Sequence, residues 1–201
     1  MNLFSKLIFI FSVGCVLPAS AGFLTLNFDG IPQDTSAMFI YQNQGVLFSS
    51  GFVSVAGDQL NSDVFPPHSG TGVFVNELDS TTITFATPIK SFQAFFTYVP
   101  GITLNFFNAS NDLLASATSQ FGNNLGGGFG DPGTLPNEAI GANSLADAVK
   151  VEIVTDGGGY AMDDITVETV EQVTVVPEPS ALAALAASVA FVVYRHRRKS
   201  R

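Results

Sequence analysis

Between residues 22 and 176 apolar side chains recur at every second position, and no stretch carries a helical stripe of useful length. Leu24, Leu26 and Phe28 alternate with Thr25, Asn27 and Asp29. The same period predicts strands at 45–49, 72–76, 81–85, 89–98, 102–108, 113–121, 149–155 and 160–168. These segments are rich in Val, Ile, Thr and Phe and are bounded by Gly, Pro, Asn or Asp. About nine short strands in a single body predict an all-β fold, a two-sheet antiparallel jelly-roll β-sandwich. Two long connections, 58–70 and 122–137, interrupt the pattern, and the second holds six glycines and two prolines. Loops of that length in a compact domain serve function or are mobile.

The two ends of the chain break the alternation. Lys6, an apolar run over 7–17, and Ala19 and Ala21 flanking Ser20 make up a secretory signal peptide over residues 1–21, cleaved after Ala21. The partners this predicts are the Sec export machinery and signal peptidase. Cleavage removes Cys15, the only cysteine, so the exported protein has no thiol, disulfide or cysteine metal ligand. At the other end, a linker over 173–179 ends in Pro177, Glu178 and Pro179. Fifteen uncharged residues over 180–194 then predict a single C-terminal transmembrane helix, short enough to need snorkelling flanks. The prolines set its N-terminal boundary. The basic tail over 195–201 stays cytoplasmic by the positive-inside rule.

Charge sharpens this division. The whole chain carries 17 acidic and 8 basic residues, a formal net charge of −9. Lys6 lies near the start, and Arg195, Arg197, Arg198, Lys199 and Arg201 form a basic topology cluster in the last seven positions. The body keeps only Lys90 and Lys150 against sixteen acids, a formal charge of −14. That balance excludes a nucleic-acid partner, which needs a basic footprint. With 19 Phe and 12% charged residues, the chain is also unlike a disordered one.

Pro177-Glu178-Pro179, a short hydrophobic helix and a terminal Arg-rich cluster, together with a signal peptide, resemble the PEP-CTERM sorting architecture. The resemblance covers 176–201. It implies a Gram-negative bacterium and recognition of the tail by an exosortase-type membrane transpeptidase, with processing near Pro177–Pro179. It further implies a lineage that makes exopolysaccharide, a candidate partner. The precursor would be anchored in the inner membrane through its C-terminal helix, and the product would reach the cell surface or the extracellular space.

The body carries a second resemblance. Leu26-Asn27-Phe28-Asp29-Gly30 at the start and Tyr160-Ala161-Met162-Asp163-Asp164-Ile165 at the end resemble the first and last strands of galactose-binding-like and carbohydrate-binding-module jelly rolls (residues 22–172 here). In those folds the terminal strands pair, and an acidic residue on the last strand helps hold a structural calcium. The resemblance implies calcium at Asp163 and Asp164, with Asp29 approaching across the pair.

Chemistry in the body is sparse. His68 is its only histidine, no Gly-x-Ser-x-Gly elbow is present, and no catalytic residue is identified. Transition-metal sites need His or Cys clusters, which are absent from the sequence. The body has no Trp, leaving Tyr41, Tyr98, Tyr160 and loop-borne Phe129 as aromatic candidates for sugar binding. Phe95 with Phe96, and Phe106 with Phe107, must point to opposite faces, so one of each pair faces outward or lies beneath a loop. The sequence therefore reads as a non-enzymatic exported surface or matrix protein. A glycan-binding module and a carboxylate-pair glycoside hydrolase stay open as alternatives.

Overall fold

The computed structural model describes residues 22–170 except 78, 79 and 146. The expectations for the signal peptide, the Pro-Glu-Pro linker, the apolar segment and the basic tail lie outside the described residues. Among the described residues no helix is long and apolar enough to cross a membrane.

The described chain forms ten strands, and every pairing between them is antiparallel: β1 (Gly22–Leu26), β2 (Val46–Phe48), β3 (Phe52–Val55), β4 (Gly72–Asn76), β5 (Ser80–Val99), β6 (Ile102–Phe107), β7 (Leu113–Thr118), β8 (Glu138–Ala142), β9 (Ala148–Thr155) and β10 (Gly159–Thr169). Two short 3₁₀ turns, Ala37–Phe39 and Gln42–Gln44, precede β2.

The long strand β5 belongs to two layers. Its first half pairs with β2 and β9, which continues to β6 and β7. Its second half pairs with β8 on one side and β10 on the other, and β10 carries β1 and β4 along its far edge. The β5–β9 register shifts between Thr84 and Ile89, with Pro88 inside the irregular stretch. A proline is tolerated there because a bulge does not require its missing N–H.

The two layers face each other as a β-sandwich, bearing out the all-β expectation. Rings meet across the interior: Phe48 lies 5.3 Å from Phe74, and Phe92 lies 5.8 Å from Phe106. Phe28, Phe92, Phe96, Phe106, Tyr98 and Tyr160 are fully or almost fully buried. The expected pairing of terminal strands is present, with Leu24 opposite Val167 and Leu26 opposite Ile165.

Three details depart from the periodicity. The segments predicted at 81–85 and 89–98 are one continuous strand. Two strands, β3 and β8, fall outside the predicted set; each is only four or five residues long, and β8 contains Gly141. Strand β7 stops at Thr118, short of the expected 121.

Candidate functional site

The 58–70 loop, which leaves β3 and returns to β4, is bonded to β10 and stacks on β5. Asp163 shows how it is held. On β10, Asp163 lies opposite Phe95 and Thr166 lies opposite Gln93, so Asp164 and Ile165 share one position on β5. This bulge, with Asp164 at φ 46°, turns two consecutive acids toward one loop, where strict alternation would send them to opposite faces. Asp163 is 2% exposed. Its Oδ2 accepts N–H bonds from His68 (2.9 Å) and Ser69 (3.0 Å), and its Oδ1 accepts the N–H of Asp164 at 2.8 Å. The Asp164 Oδ2 lies 2.7 Å from Nδ1 of His68, whose ring stacks on Phe95 with centroids 3.4 Å apart.

Asp29 grips the same end of the loop, two residues further along the chain. Its Oδ1 accepts the N–H groups of Thr71 (2.7 Å) and Gly72 (3.0 Å). The approach is so close that a Cβ at Gly70 would lie 2.0 Å from the Asp29 carboxylate, and Gly70 itself has φ +50°. Glycine is the residue that meets both demands.

Burial pushes the Asp163 carboxyl above its usual range, and the charge of Asp164 adds to this, while the bonds from Ser69, Asp164 and His68 pull the other way. Tyr41 lies close enough to feel both clamps: burial first, then the charges of Asp163 and Asp29, push its hydroxyl up to about 12. That hydroxyl donates to the carbonyl of Asn27.

The three residues expected to hold calcium are thus brought to one loop, where Oδ1 of Asp29 and both carboxylate oxygens of Asp163 accept backbone N–H bonds. Among the described residues no group of three or more His, Cys, Asp or Glu side chains gathers as a metal site. The geometry makes these carboxylates a clamp on the chain.

The 122–137 loop is fastened to the first by polar residues that the strand pattern does not reveal. Asn124 is fully buried: it accepts the Tyr98 N–H at 2.7 Å and donates to the carbonyls of Phe96 (2.9 Å) and Leu135 (3.3 Å). Asn123 accepts from Leu125 and donates to the Phe129 carbonyl, and Asp131 Oδ2 accepts the Asn123 N–H. Asn137 donates to the carbonyls of Pro66 and Pro67, and the Gly126 N–H bonds to the Val64 carbonyl at 2.8 Å. The only sequence sign of this network is the density of Asn and Asp in a Gly-rich loop, residues that satisfy backbone groups locally.

The aromatic candidates separate cleanly. Tyr98 and Tyr160 are core residues and Tyr41 is 8% exposed, whereas Phe129 is 65% exposed at the tip of the fastened loop, with Leu135 at 79%. Of the paired phenylalanines, Phe96 and Phe106 are buried, Phe95 lies beneath His68, and the Phe107 ring is covered by Lys150 Nζ at 4.2 Å.

No family model matches the chain, and no curated protein matches it. Among solved structures, a DUF4465 family protein from Bacteroides caccae is similar at 13% identity and a TM-score of 0.43, over 80% of this chain and 97% of that one. A family 6 carbohydrate-binding module is similar at 10% identity and a TM-score of 0.38, over 73% and 94%. TmCBM61, solved with β-1,4-galactotriose, is similar at 14% identity and a TM-score of 0.39, over 72% and 99%.

Proposed function

We propose that the chain is the precursor of an exported cell-surface protein, delivered by its PEP-CTERM-like tail, whose jelly-roll body binds extracellular polysaccharide without catalysing a reaction on it. The observation that carries this reading is the placement of Phe129. Its loop is anchored by Asn124 to Tyr98, which lies opposite Tyr160 near the start of β10. The chain leaves toward its tail after the other end of the same eleven-residue strand. At roughly 3.3 Å per residue, the nine steps of strand from Tyr160 to Thr169 span about 30 Å. A ring held on a hydrogen-bonded loop loses little freedom on binding, which makes it a favourable anchor for the apolar face of a sugar.

The polar groups of the loop-covered face are engaged within the fold. The imidazole of His68 is stacked on Phe95 and bonded to Asp164, and Asp163 is occupied by three N–H donors.

The test is a glycan array probed with full-length protein, followed by titration of any retained glycan. Phe129→Ala is expected to weaken binding about tenfold, as loss of an aromatic anchor does. Retention of no glycan, or equal binding by the variant, refutes the reading of the body. Delivery is tested separately by mass spectrometry of the exported protein, where Gly22 is the expected first residue. An intact Arg201 there would contradict processing near Pro179.

A further inference from the structure

An open surface cleft of about 540 Å³ lies beside β5 and β10. It lies at the end of β10 away from Phe129. Its construction begins with a second bulge: Glu168 lies opposite Ser91 and Thr169 opposite Ile89, leaving Lys90 unpaired between them. The bulge breaks alternation, so the consecutive residues Lys90 and Ser91 both line the cleft. The facing wall comes from the β8–β9 connection, which supplies Asn143, Ser144 and Asp147. Ser144 and Asp147 hold left-handed backbone conformations, at φ 60° and 69°. This wall is pinned by the Leu145 N–H, bonded to the Lys90 carbonyl at 2.8 Å, and by the buried Leu145 side chain. Glu168, 3.6 Å from Lys90, and Val170 complete the cleft.

We propose that this cleft is a second carbohydrate site, one that takes a neutral pyranose segment. The charge inventory narrows the ligand. One ammonium, paired with Glu168, stands against the two carboxylates Asp147 and Glu168, so an anionic sugar meets net repulsion. Pyranose hydroxyls both donate and accept, and the lining offers donors (Lys90), acceptors (Asp147, Glu168) and groups that do both (Ser91, Ser144, Asn143).

The neighbouring strand adds the apolar contact. Phe23 on β1 lies directly opposite Glu168, on the same face, and is 72% exposed. Strands are about 4.8 Å apart, so its ring stands at the margin of the cleft, where an adjacent sugar unit would lie. Beside it, Thr25, Thr166, Gln93 and Gly141 continue a polar row across four strands.

The experiment is isothermal titration of full-length protein in detergent with cellohexaose, xylohexaose and laminarihexaose, with a hexagalacturonate as the anionic control. At least one neutral hexaose is expected to bind and the anionic one is not. Asp147→Asn and Phe23→Ala are each expected to weaken binding about tenfold, the loss of one charge-assisted hydrogen bond or one aromatic contact. Both sites are exposed, and matching melting temperatures will show that the variants fold. Binding by none of the neutral hexaoses, tighter binding of the galacturonate, or affinities unchanged in both variants overturns the proposal. Loss of binding in Phe129→Ala alone places the sugar at the distal loop, which refutes this cleft while sustaining the first reading.

Discussion

Replacing Asp163 by Ala tests the clamp that organises the loop-covered face. The carboxylate accepts three backbone N–H bonds, from His68, Ser69 and Asp164, at 2.8–3.0 Å, and it is 2% exposed. A hydrogen bond to a charged group contributes about 1.5–3 kcal/mol. The His68 and Ser69 N–H groups belong to a surface loop and can rehydrate, and removal of a desolvated charge offsets a further part. A net loss of about 3 kcal/mol is therefore expected, which for a body of this size lowers Tm by about 6–12 °C. Hydrogen exchange should accelerate most at the His68 and Ser69 amides.

The pH dependence carries the sign. Burial raises the folded-state pKa of Asp163 above its unfolded value. Between those two values the folded state holds a proton that the unfolded state has released, so this group's contribution to stability falls as pH rises through that window. The uncharged variant lacks this slope. The advantage of the natural protein over Asp163→Asn should thus be larger below the usual carboxylate range than at neutral pH. A difference that grows with rising pH would show that the three N–H bonds outweigh burial, and an unchanged Tm with unchanged exchange at 68–69 would refute the clamp itself.

Four further outcomes are expected. Phe106→Ala, at a fully buried ring packed on Phe92, should cost about 3–5 kcal/mol, whereas Phe129→Ala should stay within about 0.5 kcal/mol; urea unfolding of the two compares them directly. Gly70→Ala forces a Cβ onto the Asp29 carboxylate at a left-handed position, so it should destabilise by more than about 1 kcal/mol in the same assay. Ultraviolet titration should find Tyr41 and Tyr98 ionising at about 12, each held up chiefly by burial, with Glu138 accepting the Tyr98 hydroxyl; two tyrosines ionising near the ordinary value would contradict their placement. Because Oδ1 of Asp29 and both oxygens of Asp163 accept backbone N–H bonds, and no three acidic side chains gather there among the described residues, calcium or its chelation should leave Tm unchanged; a calcium-dependent rise that Asp163→Ala abolishes would place the ion at this position.

The alternation of apolar residues was enough to determine an all-β body and most of its strands, because a strand's two faces impose a period of two wherever one face is buried. It also determined that one residue of Phe95–Phe96 and of Phe106–Phe107 must leave the core, and Phe96 and Phe106 are the ones that remain. The same rule fails where the ladder is irregular. It splits β5 at Pro88, since a bulge that absorbs a proline has no signature distinct from a strand end. It sends Asp163 and Asp164 to opposite faces, and Lys90 and Ser91 likewise, because nothing local announces that an extra residue will be accommodated there. Their convergence on one loop and one cleft depends on the register of β10 against β5, strands that are some seventy residues apart in the chain. Composition likewise supplied the acids, but not the groups that each carboxylate would meet. Here those are the backbone N–H groups of the loop at 68–72, brought to Asp29 and Asp163 by tertiary folding alone.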